Sequence, residues 1–298
     1  MKKTIFAIAA ICAALTPAFA GSRTTRSINE AWTFTKEGKT ETVNVPHSWN
    51  TLDVKDEEPG FYRGVCTYEK TVTINEDPAL QEVFAHFEGA NTVAELYVNG
   101  KSVGRHIGGY TAFCWNITDY VHKGENKFLV KVDNRHNVEI APLSADFAFY
   151  GGLYRDVNLV FTSPQHISLT HFASNGVYLT TPTVSEAEST VHVRTMLSND
   201  TAPVKGYVLQ QSIYDAEGIL VASAQKKLKK LPSGENQEIV QDLKVKGTKL
   251  WDVESPYLYK VVTTLKDAKG NELDSVENPL GFRTFSFDKD SGLTLNGR

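Results

Sequence analysis

What the sequence lacks removes several function classes before any motif is considered. Among 298 residues there are three cysteines and two methionines. The eight histidines and three cysteines form no His-x-x-x-His or Cys-x-x-Cys pair, so no zinc-type spacing is written in the chain and no metal or cofactor is expected. No Gly-x-Gly-x-x-Gly or Walker sequence occurs, and Gly108-Gly109 lies between strand-like runs where a phosphate loop would need a following helix. A formal net charge of -4 offers no electrostatic footprint for nucleic acid. The short basic run Lys226-Lys227 and Lys229-Lys230 reads as lysines guarding an exposed strand edge. Past the N-terminus no apolar stretch is long enough to span a bilayer, and the first half carries no convincing period of 3.6.

What is present begins with a leader. Lys2 and Lys3 form a basic region, residues 5–15 an apolar one, and Ala18-Phe19-Ala20 the small-x-small pattern of a signal peptidase site. Residues 1–20 are therefore expected to be a signal peptide cleaved after Ala20, with a periplasmic or secreted destination. Ile11 is bulky where a lipoprotein site wants a small residue, so Cys12 is an ordinary residue of the apolar region. Cys66 and Cys114 remain in the mature chain. Both sit in apolar strand patterns, where a free thiol serves as a small buried hydrophobe, although an oxidising compartment leaves a bridge open.

The stretch 93–113, VAELYVNGKSVGRHIGGYTAF, organises the rest. Ala94, Leu96 and Val98 alternate with Glu95 and Tyr97, as in a strand with one buried face, and Asn99-Gly100 follows. That dipeptide predicts a type I′ hairpin, because both central residues need positive φ, which Asn tolerates and Gly adopts freely. Gly108-Gly109-Tyr110 then form a loop, and residues 112–117 resume an apolar run. Further strands are expected at 61–70, 71–74, 83–87, 126–132 and 156–161, whereas 46–59 reads as a long acidic loop of the kind that often carries function.

A polar break at Thr162-Ser163-Pro164-Gln165 precedes a second all-β unit. Val191, Val193, Thr195 and Leu197 share one face, and Tyr207, Leu209 and Ile213 another. Turns are marked at 215–218, 232–234 and 267–270. About seven short strands at this spacing predict an immunoglobulin-like sandwich without the antibody disulfide.

The order VNG, VG, HIGGYTAF and NIT within 98–118 resembles the sugar-binding domain of glycoside hydrolase family 2. VNVPHSWN at 43–50, GFYRG at 60–64, VDN at 132–134, YGGLYRDV at 150–157 and GFRTFSF at 281–287 fall in the same order, and 251–259 resembles the W-x-x-x-x-P-x-L-Y signature of the domain that follows. The resemblance implies an all-β chain: an N-terminal jelly-roll β-sandwich at 21–163, an immunoglobulin-like β-sandwich at 164–287, and at 288–298 the start of a linker into a catalytic TIM barrel. It also implies retaining hydrolysis of β-glycosides, most closely that of β-galactosidases, by two glutamates about 5 Å apart on that barrel. A barrel needs roughly 250 residues, so it is expected beyond Arg298 and no catalytic residue is assigned here. The family includes dimers and tetramers, so a homo-oligomer is admitted.

Site residues come from the same resemblance. Asp146, four residues before Tyr150, aligns with an aspartate that reaches from the jelly roll to the sugar, and Glu58 sits near a second contact position usually held by Asn or Asp. A carboxylate at such a place accepts hydrogen bonds from neighbouring hydroxyls. A loop aspartate serving nearby backbone N–H groups is the plainer alternative. His47 and Trp49 are expected to pack the loop between domains, Arg155 to pair with Asp133, and Tyr110 to join the core rather than stack on a sugar. Two other classes of function stay open: a stand-alone carbohydrate-binding protein, and a structural or adhesive β-sandwich module.

Overall fold

The computed structural model describes residues 23–55, 60–144, 147–290 and 292–298; the expected leader at 1–20 lies outside them. The first half contains β1 (Thr24–Ser27), β2 (Trp32–Lys36), β3 (Lys39–Val43), β4 (Val65–Ile74), β5 (Glu82–Phe87), β6 (Val93–Val98), β7 (Lys101–Ile107), β8 (Phe113–Asn116), β9 (Gly124–Asp133) and β10 (Val157–Thr162). They build a six-stranded sheet in the order β3-β2-β4-β9-β6-β7 and a four-stranded sheet in the order β1-β10-β5-β8. Alternation along the strands decides which side chains face inward. From the large sheet come Trp32, Phe34, Tyr68, Leu96, Phe128 and Val130, and from the small sheet Phe87, Val157 and Leu159, all in one buried cluster. This is the jelly-roll sandwich.

The hairpin β6–β7 turns at Asn99 (φ 51°) and Gly100 (φ 78°), as the dipeptide predicts. Its face is also as expected, with Ala94, Leu96 and Val98 buried. The glycine loop that follows has a larger role than joining two strands, because β8 pairs with β5 in the opposite sheet. Residues 108–112 thus carry the chain across the edge of the sandwich. Two expected strands at 61–70 and 71–74 are instead the single strand β4, which pairs with β9 along its whole length. Residues 61–64 stay outside it, since the Gly64 N–H is taken by the side chain of Asn134 at 2.8 Å. Cys66 lies in β4 of one sheet and Cys114 in β8 of the other, and both thiols are free. Burial pushes each up to about 12, as befits packed hydrophobes.

The second half contains β11 (Gln165–Ile167), β12 (Val177–Thr183), β13 (Glu188–Asn199), β14 (Val208–Tyr214), β15 (Leu220–Lys227), β16 (Gly234–Lys246), β17 (Tyr259–Lys266) and β18 (Glu272–Leu280). In one sheet β13 lies between β16 on one side and β11 and β12 on the other; the facing sheet runs β15-β14-β17-β18. Val191, Val193, Leu197, Leu209, Ile213 and Val261 fill the space between them, forming the immunoglobulin-like sandwich. Its core holds polar residues that satisfy one another: Gln211 donates to Thr195 at 3.1 Å and accepts from Thr263 at 2.6 Å. Lys226 and Lys227 close the edge strand β15, consistent with a guarding role. A last hairpin, β19 (Phe285–Asp288) with β20 (Gly292–Leu295), joins neither sandwich sheet.

The two sandwiches meet over Phe84 and Val160 of the first and Leu169 of the second, which form a small buried cluster with Cys114 beside it. His166 packs edge-on against Phe84 at 5.2 Å, and His86 Nε2 lies 3.0 Å from the carbonyl of Ala173.

Candidate functional site

Two irregular loops share one end of the jelly roll. The first, 51–62, holds Glu58, and the second, 135–150, holds Asp146; Glu58 and Asp146 themselves lie outside the described residues. The stems of both loops are described, and a pair of fully buried asparagines ties them together. Asn50 precedes the first loop and Asn134 the second. The Asn50 side-chain oxygen accepts from the Gly151 N–H at 2.8 Å and from Asn134 Nδ2 at 3.3 Å. Its Nδ2 donates to the Tyr62 carbonyl at 2.9 Å and to Asp53 at 3.1 Å. Asn134 accepts from the Gly64 N–H and donates to the Phe149 carbonyl at 3.2 Å, so each asparagine binds the far stem of both loops. A planar amide with separate donor and acceptor ends is suited to joining two backbones.

Charges inside this frame are held in fixed states. Burial pushes the Asp53 carboxyl up, but bonds from Asn50, the Tyr62 N–H and Lys36 outweigh it, leaving the group below the ordinary carboxylate range. Asp133 is held low in the same way by Arg135, whose Nη2 lies 2.6 Å from its Oδ2. Arg135 therefore occupies the place expected for Arg155, which is exposed and lies over the ring of Tyr154 instead. An i,i+2 contact leaving a strand end is shorter than one reaching 22 residues along the chain.

Between the loops and the glycine crossover lies a cleft lined by Arg63, Asn91, Tyr110, Arg135, Asn137 and Phe149. Arg63 is spread over Phe149 and donates through Nε to the Asn134 carbonyl at 2.9 Å. Tyr110 does not join the core: it is 57% exposed, against the expectation from its apolar surroundings. Gly109 is the reason. A Cβ there would stand 2.0 Å from Asn91 Oδ1, so the loop presses its backbone against Asn91 and its carbonyl against the Tyr154 hydroxyl, and the next side chain turns outward. Phe147 and Tyr150 are exposed at the same end. Aromatic faces beside fixed hydrogen-bonding groups are a suitable surface for a sugar ring, which presents C–H faces and hydroxyl edges.

His47 and Trp49 belong to the supporting layer of the first sandwich, not to the junction between the two. His47 Nδ1 lies 2.8 Å from the Tyr68 hydroxyl, its ring meets Phe34 edge-on at 4.7 Å, and Trp49 stacks on Phe34. Gly151 and Gly152 let this layer close. A Cβ on Gly151 would come within 2.0 Å of the Trp49 ring, and one on Gly152 within 2.2 Å of the His47 carbonyl. Nothing in the chain's local pattern marks Asn50 or Asn134, which close the segments VNVPHSWN and VDN immediately before an irregular loop.

Comparison with known proteins fits this architecture. The model described as the sugar binding domain of glycosyl hydrolases family 2 matches residues 16–164, and a second family 2 model matches 170–283. The chain belongs to glycosyl hydrolase family 2. It is 36% identical over 280 residues to a β-glucuronidase of Bacteroides fragilis, a match covering 91% of this chain and 39% of that protein. A β-galactosidase of Thermoanaerobacter pseudethanolicus is 32% identical over 275 residues, covering 91% and 35%. Among solved structures, Bacteroides uniformis β-glucuronidase 2 covalently bound to cyclophellitol-6-carboxylate aziridine superposes with a TM-score of 0.86 at 34% identity, covering 93% of this chain and 34% of that one. The chain thus spans little more than a third of the length of these relatives.

Proposed function

We propose that this chain forms the non-catalytic, sugar-facing part of a retaining hydrolase of β-glycosides, the class to which the β-glucuronidase and β-galactosidase relatives belong. The observation that carries the reading is the cleft of Tyr110, Arg63, Asn91 and Phe149, set between two loops whose stems Asn50 and Asn134 fix, on a domain that matches the family's sugar binding domain. Asp146 and Glu58 lie on those loops and would accept hydrogen bonds from sugar hydroxyls. The catalytic carboxylates belong to a further domain, as the greater length of the relatives suggests, and the chain by itself is not expected to hydrolyse glycosides.

The test is a hybrid in which this chain is joined to the part of the Bacteroides fragilis β-glucuronidase that lies outside the match, assayed on aryl β-glucuronides and β-galactosides. Asp146→Ala should raise KM about tenfold or more while the sandwiches stay folded. Export follows the same reading, and N-terminal sequencing of the cell-derived protein should begin at Gly21.

A further inference from the structure

A second cleft, of about 410 Å³, opens where the two sandwiches meet. Tyr110 lines the sugar-facing cleft and its neighbour Thr111 lines this one, and the two clefts share no residue. From the jelly roll come His106 on β7, Thr111, and Phe113 and Cys114 on β8; from the second sandwich come Thr170 and Phe172. The His106 ring stacks on Phe113 with centroids 4.2 Å apart and planes 17° from parallel. Burial holds the His106 imidazole below its ordinary value and keeps the Cys114 thiol protonated, so the lining carries no charge at neutral pH. Thr111 Oγ1 lies 3.3 Å from His106 Nε2, and Thr170 donates to Glu235 at 3.0 Å, which leaves both hydroxyls with acceptor capacity.

Phe172 is the feature that the fold does not explain. Its φ of 56° and that of Ala173, 50°, lie in the left-handed region that bulky residues rarely adopt. The turn is pinned there. Ser174 Oγ donates to the His171 carbonyl at 2.8 Å, and His86 Nε2 to the Ala173 carbonyl at 3.0 Å. The ring so held is 84% exposed, the most of any large apolar side chain among the described residues. It adds nothing to either core, and strained residues held by their surroundings cluster at functional sites.

We propose that Phe172, the stacked rings of His106 and Phe113, and the hydroxyls of Thr111 and Thr170 form a second carbohydrate site, which takes an uncharged glycosyl unit of an extended glycan. The ligand class follows from the lining. Aromatic faces suit the C–H face of a sugar ring, and the threonine hydroxyls suit its polar edge. A uronate, sulfate or phosphate would lose hydration there without meeting an opposite charge. Because Tyr110 and Thr111 are consecutive, one oligosaccharide held at the first cleft can reach the second. The proposal rests on the functional reading above for the presence of such a chain.

The experiment is saturation-transfer NMR on this chain with cellotetraose and β-1,4-galactotetraose as probes, for the wild type, Phe172→Ala, Phe172→Tyr and Tyr110→Ala. Phe172→Ala should raise Kd for at least one probe about fivefold or more, with the unfolding temperature unchanged because the ring is exposed. Phe172→Tyr keeps the aromatic face and should bind within about twofold of wild type. No binding of either probe by the wild type at millimolar concentration would overturn the proposal. So would equal affinities for the wild type and Phe172→Ala. Binding weakened by Tyr110→Ala alone would remove this second site and leave the first cleft standing, whereas binding weakened by Phe172→Ala alone would support this site and count against the first.

Discussion

Arg23 and Asp274 stand 251 residues apart in the chain and meet as a buried ion pair across the junction of the two sandwiches, with Nη2 2.8 Å from Oδ2 and Nε 3.1 Å from Oδ1. The Asp274 side chain is fully buried and that of Arg23 nearly so. Both charges have further partners. Asp274 accepts from the Ile167 N–H at 2.7 Å, and Arg23 donates to the Ile167 carbonyl at 2.5 Å. One residue at the head of the jelly roll and one on β18 thus grip β11 from both of its backbone groups, setting how the sandwiches lie.

Removing one member leaves the other charge buried without its partner. Arg23→Ala and Asp274→Ala should each lower unfolding stability by about 3–5 kcal/mol, whereas the double variant should lose less than the sum. Chemical denaturation of the four proteins measures this, and additive losses would show that the pair does not act as a unit.

The asparagine frame makes a second prediction. Asn50→Ala removes the acceptor for the buried Gly151 N–H, leaving it unpaired at about 1–3 kcal/mol, and one of the two donors to the Tyr62 carbonyl, which keeps only its bond from Asn134. The loss should be local, so protease cleavage within 51–62 and within 135–150 should rise together. Faster cleavage in only one loop would contradict the view that the two stems are held jointly.

Acid stability is set in part near the same junction. Burial holds the His166 pKa at about 4, against 6.5 for the free side chain, with Asp274 pulling the other way. Between pH 6.5 and 4 the unfolded chain takes up a proton that the folded one refuses, so the His166 contribution falls as pH falls, by on the order of 3 kcal/mol across the window. Asp200, whose Oδ2 is 3.8 Å from His166 Nδ1, acts in the opposite sense. Burial and the charges of Glu82 and Glu235 raise it to about 6 from 3.8, so its folded form keeps a proton the unfolded form has lost, and its contribution falls as pH rises through that range. Asp200 is partly open to water, which weakens its share. Asp200→Asn should therefore steepen the loss of stability on going from pH 6.5 to 4, and His166→Gln should reverse or flatten it. Parallel stability curves for wild type and Asp200→Asn, from urea unfolding across that range, would contradict this assignment.

How far the sequence could be read depended on whether a contact was local. The turn at Asn99-Gly100 and the inward face of Val191, Val193 and Leu197 were legible because dihedral preference and strand alternation act within a few residues. The outward turn of Tyr110 was not, since it follows from Gly109 pressing on Asn91, 18 residues earlier. Nor was the choice of Arg135 over Arg155 as partner for Asp133, which depends on where β9 ends. The bond between Asn50 and Asn134 joins residues 84 apart, and no pattern along the chain announces it. The resemblance to family 2 pointed to Asp146 and Glu58, but not to the means by which the loops that carry them are held.

The most direct test of the sugar-facing reading is KM for an aryl β-glycoside in the hybrid, measured for the wild-type chain and for Asp146→Ala and Tyr110→Ala. The account predicts that both substitutions raise KM, Asp146→Ala about tenfold or more and Tyr110→Ala by a smaller factor, with unfolding temperature unchanged. Values of KM and kcat equal to wild type in both variants would show that this end of the jelly roll does not touch the sugar.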